Sequence, residues 1–339
     1  MTLFNDPTLL ENIEELLVHC GGHPGTLEDE LISQMILNSL KLLKGEHDTG
    51  QIKLMNRALK EMRYAFRIFN GYPAVRKVSI FGSARTPVDH ADYVTAREFS
   101  AAIAEKGWMC ITGGAHGIMR AGLEGQSSHA RFGLSIRLPF ENSVNDLLEG
   151  DTKAIIFRYF FTRKLMFMSH SDAIVVFPGG VGTMDELFEA LTLMQTGKGE
   201  IVPVVLLEGT GGDYWKHWQN FIQETMLSKK MIDEADLNFY YRALDVSSAI
   251  IHLETFYKKY HSSRYVGDNL VIRLQEPLQE EQVNLLNEKF SQIIASGQIT
   301  QCPALPEETE YMGLPRLVFR FVRRRFGLLR ALIDQINAI

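Results

Sequence analysis

Cysteine is scarce and scattered. Cys20, Cys110 and Cys302 are the only three in 339 residues. They lie too far apart for a disulfide framework or a metal knuckle, and a reducing cytoplasm is the expected compartment. No apolar run approaches the roughly 18 residues of a membrane helix, so no membrane partner is expected. Positive charge is not in excess: 35 bases against 41 acids leave a net charge of −6. Such a chain lacks the field of a general nucleic-acid binder. The opening stretch, MTLFNDPTLLENIEELL, carries early acids and no basic segment, so no secretory signal is expected. No internal repeat and no low-complexity linker is visible. No His/Cys/Asp cluster has ligand spacing, so neither a metal nor another cofactor is expected, and His116 and His170 read as structural.

What remains is ordinary globular material. Apolar residues make up 45% of the chain and charged residues 22%, enough for a sizeable core. Residues 1–74 read as helical. Leu9, Leu10, Ile13, Leu16 and Leu17 recur at helical spacing, and so do Leu31, Ile32, Met35, Ile36, Leu40 and Leu43, with Gly45 as a stop. A third helix over 51–69 ends at Gly71-Tyr72-Pro73.

Residues 75–262 alternate strand and helix. Strand signals are KVSIFG at 77–82, WMCIT at 108–112, FGLSIRL at 132–138, AIIFR at 154–158, AIVVFP at 173–178 and IVPVVLL at 201–207. A weaker one, FYYRALD, covers 239–245 and precedes a helix to about 260. The runs are apolar almost throughout, as in strands buried on both faces. The fold class expected is α/β, a Rossmann-like doubly wound parallel sheet. Residues 263–339 change character. LVIRLQ at 270–275 reads as a strand, EEQVNLLNEKFSQIIASG as an amphipathic helix, LVFRFV at 317–322 as an exposed strand and FGLLRALIDQINAI as a final helix. Together they suggest a small α+β appendage.

In an open parallel sheet the loops at the carboxyl ends of the strands bind ligands, and the unusual residues cluster there. The first strand is followed by Gly82-Ser83, the second by Gly113-Gly114-Ala115-His116-Gly117, and the third by a segment holding Glu141 and Asn145. Pro178-Gly179-Gly180-Val181-Gly182-Thr183 follows the fifth. Glycines let backbone N–H groups approach an anion, and a following helix adds free N–H groups and a positive dipole end. The 179–183 turn therefore reads as a phosphate cradle. The 113–117 glycines match GxGxxG poorly and fit tight strand-to-helix packing equally well. Arg163 and Lys164 stand among Phe160, Phe161, Leu165, Met166, Phe167 and Met168, where a charge needs a phosphate or carboxylate partner. Glu186 points at the same edge, although Thr183-x-x-Glu186 also has capping-box spacing. Glu189 shares its helix face, and Asp185 reads as solvated.

PGGVGTMDE at 178–186 resembles the PGGxGTxxE signature of the Lonely Guy family, long labelled "lysine decarboxylase". TRK at 162–164 resembles its Arg-Lys pair, TGGAHGIM at 112–119 its GGxxGxM loop, and FGSAR at 81–85 its first nucleotide-binding turn. LPFENSVN resembles a segment of a bacterial, long-form branch of nucleotide nucleosidases. The resemblance implies hydrolysis of the N-glycosidic bond of a nucleoside 5′-monophosphate, AMP-like or a cytokinin ribotide, to free base and ribose 5-phosphate. It implies catalytic roles for Arg163 and Glu186. Gly179, Gly180, Gly182 and Thr183 would hold the phosphate, and Gly82, Ser83, Gly113, Gly114 and Lys164 would line the rest. Glu141 and Asn145 are candidates for ribose or base contacts. Arg120 stands where many members have glycine. The alternative is a non-catalytic nucleotide or cofactor carrier on the same fold. A homo-oligomer, dimer or higher, is expected. Arg316, Arg320, Arg323, Arg324, Arg325 and Arg330 argue weakly for nucleic acid and better for a small nucleotide effector at the appendage.

Overall fold

The computed structural model describes residues 7–137 and 145–339. The chain divides into two compact units, Met1–Tyr64 and Ala65–Ile339. The first holds α1 (Pro7–His19), α2 (Leu27–Lys41) and most of α3 (Thr49–Phe69). Thr26 caps α2 by accepting a hydrogen bond from the Asp29 N–H at 3.3 Å, which satisfies one of the free donors at the helix start.

The second unit opens with the expected alternation: β1 (Lys77–Phe81), α4 (Ala91–Glu105), β2 (Met109–Thr112), α5 (Ile118–Glu124), β3 (Arg131–Ile136) and β4 (Ala154–Phe157). It continues through α6 (Phe160–His170), β5 (Ala173–Val176), α7 (Val181–Gln195), β6 (Val204–Leu206), α8 (Tyr214–Phe221), β7 (Tyr240–Arg242) and α9 (Val246–Phe256). The seven strands form one sheet in the order β4-β3-β2-β1-β5-β6-β7, parallel throughout. This is a Rossmann-like arrangement. Val78 and Ile80 of β1 join Tyr93 and Phe99 of α4 and Leu253 of α9 in one buried cluster. Phe81 turns to the other face and meets Phe167 of α6 edge-on, with ring centroids 4.9 Å apart. Burial on both faces is why these strands read as continuous apolar runs.

The chain builds outward from β1 to β4, then crosses back to place β5 on the other side of β1. The loops leaving β1 and β5 therefore diverge in opposite directions, and a crevice opens between them. The glycine turns after β1 and β5 flank that point.

Beyond α9 the chain forms a second, antiparallel sheet from β8 (Tyr260–Val266), β9 (Asn269–Leu274), β10 (Ile294–Cys302) and β11 (Arg316–Phe321), ordered β10-β11-β9-β8. α10 (Glu280–Lys289) and α11 (Phe326–Ala338) complete it. Two sequence expectations are corrected here. The helix expected through Gly297 ends at Lys289, and Ile294 onward is strand. Asn287 explains the change: its amide donates to the Ile299 carbonyl and accepts from the Ile299 N–H, docking the new strand against the helix that precedes it. LVFRFV is not an exposed strand either. β11 lies between β10 and β9, with Leu317, Phe319 and Phe321 buried. β8 was absent from the sequence reading, since YHSSRYV is mostly polar.

Candidate active site

A cavity of about 1310 Å³ opens along the carboxyl edge of the large sheet. Gly82 and Ser83 reach it from the loop after β1, and Gly113 and Gly114 from the loop after β2. Asn145 lines it as well, together with Arg163 of α6 and Gly180, Gly182, Thr183 and Glu186 at the start of α7. Glu141 lies outside the described residues.

The loops are tied to one another through their backbones. The Ser83 N–H donates to the Pro178 carbonyl at 3.1 Å, and the Ile118 N–H donates to the Ser83 carbonyl at 3.0 Å. Gly117 makes the second bond attainable. It has φ +60°, and a Cβ there would fall 2.2 Å from the Ser83 carbonyl oxygen. Gly82 and Gly113 are small for packing: a Cβ would strike Ile118 at 2.6 Å and Met119 at 2.6 Å respectively.

The turn after β5 is divided between two tasks. Gly179 faces inward, where a Cβ would meet Thr183 Oγ1 at 2.1 Å, and its carbonyl accepts a hydrogen bond from the Tyr214 hydroxyl at 2.6 Å. Gly180 and Gly182 face open space, with nothing within 4 Å of an added Cβ. Gly180 is the N-cap of α7 and makes no side-chain cap bond. The N–H groups of Val181, Gly182 and Thr183 therefore begin the helix without acceptors inside it. An anion placed there would meet these donors and the positive end of the helix dipole.

Glu186 is not a helix cap, because the cap position belongs to Gly180. Its side chain is buried, and Oε1 lies 3.7 Å from Arg163 Nη2. Glu186 Oε2 and Arg163 Nε are both buried and make no hydrogen bond among the described residues. Burial pushes the Glu186 carboxyl up to about 7, although Lys164 and Arg163 pull the other way. Proximity of a guanidinium alone would keep the group fully ionised. Here desolvation outweighs it, and the acid is poised near neutrality.

Lys164 lies among carboxylates. Its Nζ lies 2.6 Å from Glu189 and 2.9 Å from Asp185, with Glu186 Oε2 at 3.8 Å. Asp185, expected to be merely solvated, is thus paired while its side chain stays 56% exposed. Asn145 is also occupied: its amide donates to the Ala115 carbonyl at 3.0 Å and accepts from the Leu147 N–H at 3.1 Å. It shapes the second loop. Arg120 forms ion pairs with Glu124 and Asp146. His170 stacks on Phe69 at 3.9 Å, and burial holds its pKa at about 4.

Two residues escaped sequence reading. Tyr214 begins α8 after the loop leaving β6, so its position on the ligand edge was a usable signal. Ser135, near the end of β3, lines the cavity with a buried hydroxyl that has no partner among the described residues. The appendage arginines are largely committed. Arg316 and Arg330 are buried, the first paired with Glu308 and the second with Asp334, while Arg320 and Arg323 share Asp268.

Fold and site together define a Rossmann-like α/β protein with a glycine-capped helix start near a buried carboxylate–guanidinium pair. A family model described as "Possible lysine decarboxylase" matches residues 101–253. The cytokinin riboside 5′-monophosphate phosphoribohydrolase of Mycobacterium tuberculosis is 33% identical over 140 residues, which cover 40% of this chain and 74% of that protein. The Arabidopsis thaliana protein of the same name, LOG5, is 26% identical over 181 residues, 50% of this chain and 74% of its own. The chain belongs to the Lonely Guy family. Among solved structures, the molybdenum cofactor binding protein of Rippkaea orientalis is 21% identical and covers 53% of this chain and 96% of its own, with a TM-score of 0.39. Among the described residues no helix is long and apolar enough to cross a membrane.

Proposed function

We propose that this protein hydrolyses the N-glycosidic bond of nucleoside 5′-monophosphates, releasing the free base and ribose 5-phosphate. The observation that carries the reading is the buried Glu186 carboxylate, set beside Arg163 within two helical turns of the glycine-capped start of α7. The names borne by the Mycobacterium tuberculosis and Arabidopsis thaliana relatives agree with it.

The 5′-phosphate would bind the N–H groups of Val181, Gly182 and Thr183, with the Thr183 hydroxyl as a further donor. Gly180 and Gly182 leave the space it needs. The ribose then lies over Glu186. As the C–N bond breaks, its electron pair leaves with the base and positive charge develops on the sugar, by analogy with glycoside hydrolysis. The Glu186 anion stabilises that charge. Water adds its oxygen to the anomeric carbon, and one of its protons ends on the departing base. A carboxylate near 7 is suited to accept that proton on the way. Arg163 orients the acid and the nucleotide. Gly82, Ser83, Gly113 and Gly114 complete the wall.

The test is incubation with purine and pyrimidine monophosphates, isopentenyl-adenine ribotide included, and chromatography for free base. The expected result is release from at least one. Nucleotides bound but recovered intact would leave a carrier. The reading also includes a homo-oligomer, since Phe160, Phe161 and Leu165 on α6 leave apolar area exposed. Sedimentation velocity giving a monomer would reject that part.

A further inference from the structure

Lys164 follows Arg163 in sequence but serves other atoms. Arg163 lines the cavity, whereas the Lys164 ammonium is turned to the acids of α7. It lies 2.6 Å from Glu189, 2.9 Å from Asp185 and 3.8 Å from Glu186 Oε2, and its side chain is only 14% exposed. Asp185, Glu186 and Glu189 lie close together between the first turn and the middle of α7. Carboxylates placed so close together disfavour one another's ionisation. Asp185 and Glu189 retain access to water at 56% and 31% side-chain exposure, but Glu186 at 7% does not. The burden of that repulsion therefore falls on Glu186.

We infer that Lys164 is a positioning residue, which bridges Asp185 and Glu189 to α6 and thereby presents Glu186 to the cavity without itself touching substrate. The inference rests on the hydrolysis reading above for its kinetic consequence. The charged groups facing Glu186 are Arg163 and Lys164 from α6 and Asp185 and Glu189 from α7. Arg85, His116 and Arg137 line the same cavity. After burial, Lys164 is the largest influence on the Glu186 carboxyl and acts to lower its pKa, ahead of Arg163. Glu189 and Asp185 act to raise it. Removing the lysine and removing its partner therefore have opposite signs.

The experiment measures kcat and KM against pH for base release by the full chain, in the wild type, Lys164→Met, Lys164→Arg and Glu189→Gln. Lys164→Met is expected to move the acid limb of kcat upward by about one pH unit, the low end for loss of an opposite charge at this range. Lys164→Arg brings the limb back toward the wild type. Glu189→Gln moves it downward, since a negative neighbour is gone and the ammonium is released toward Glu186. A lysine that grips substrate instead would raise KM in Lys164→Met and leave the limb unmoved. That result, or limbs moving the same way in Lys164→Met and Glu189→Gln, overturns the inference. A wild type that releases no base from any monophosphate would refute hydrolysis instead. The Glu186 titration itself, followed by carbon-13 NMR with Glu186→Gln for assignment, then decides Lys164 by the same two directions of shift.

Discussion

Glu186 holds a charge in surroundings that resist it. Its carboxyl is buried, has an arginine at 3.7 Å and is driven up to about 7. An acid whose pKa is raised in this way is protonated below that value and ionised above it. If the anion stabilises the sugar cation, kcat should fall as pH drops through about 7 and level off above it, which a pH–rate profile reads directly. Glu186→Gln keeps the shape and removes the charge. Base release should fall by about 10²–10³-fold or more while nucleotide still binds by equilibrium titration. Near-normal turnover would reduce the residue to a packing role. Arg163→Ala should also abolish turnover, and it leaves Glu186 buried without its guanidinium. That these residue types belong at the ligand edge was legible from the chain: a basic pair in an aromatic segment needs a partner, and Glu186 follows a glycine turn. That desolvation would outweigh the cations was not, because it depends on everything packed around the carboxylate.

At the scale of elements, the site is a set of turns held together through backbone contacts. The contrast between two glycines tests this. At Gly117 a Cβ would meet backbone atoms of Ser83 and Ala84, at φ +60°. Gly117→Ala should therefore destabilise the fold by about 1–3 kcal/mol, seen as a lower midpoint in urea. Gly180 has φ −90° and open space before it. Gly180→Ala should leave the midpoint nearly unchanged and raise KM, since the methyl group would occupy the space left for phosphate. Equal effects on stability would remove the distinction. The parallel strands were readable because burial on both faces leaves long apolar runs. β8 and β10 were not, because their sequences are polar and their pairing is settled by neighbours distant in the chain. For β10, the side chain of Asn287 on α10 docks the strand by bonding both backbone groups of Ile299.

At the scale of the molecule, the two sheets are stabilised differently. The large sheet packs mainly apolar side chains, with the buried Lys77 of β1 held by the Tyr72 and Val75 carbonyls, whereas the small one buries a cluster of three charged side chains. Glu308 accepts hydrogen bonds from Arg316 at 2.9 Å and from Arg273 at 2.9 and 3.1 Å, with all three residues buried. Burial pushes the Glu308 carboxyl up, but these bonds and one from the Leu305 N–H outweigh it and hold the pKa at about 2. A depressed carboxylate contributes stability above its unfolded value, and that contribution is lost as pH falls toward 2. Glu308→Ala would take the shared carboxylate from two buried arginines, leaving Arg273 with Glu310 at 3.7 Å and Arg316 with backbone carbonyls, and should lower stability by about 3 kcal/mol near neutrality. The gap between mutant and wild type should narrow in acid, as followed by denaturant unfolding. A gap independent of pH would mean the triad contributes shape alone. The sequence by itself determined the alternation of strands and helices, the glycine turns and the edge on which they fall, because periodicity and turn chemistry are local. Only the tertiary structure decided that the strand order reverses between β1 and β5, that Lys164 serves carboxylates, and that Glu186 lies poised near neutrality. Those outcomes depend on long-range packing, which sets distance and desolvation and which no short stretch of residues encodes.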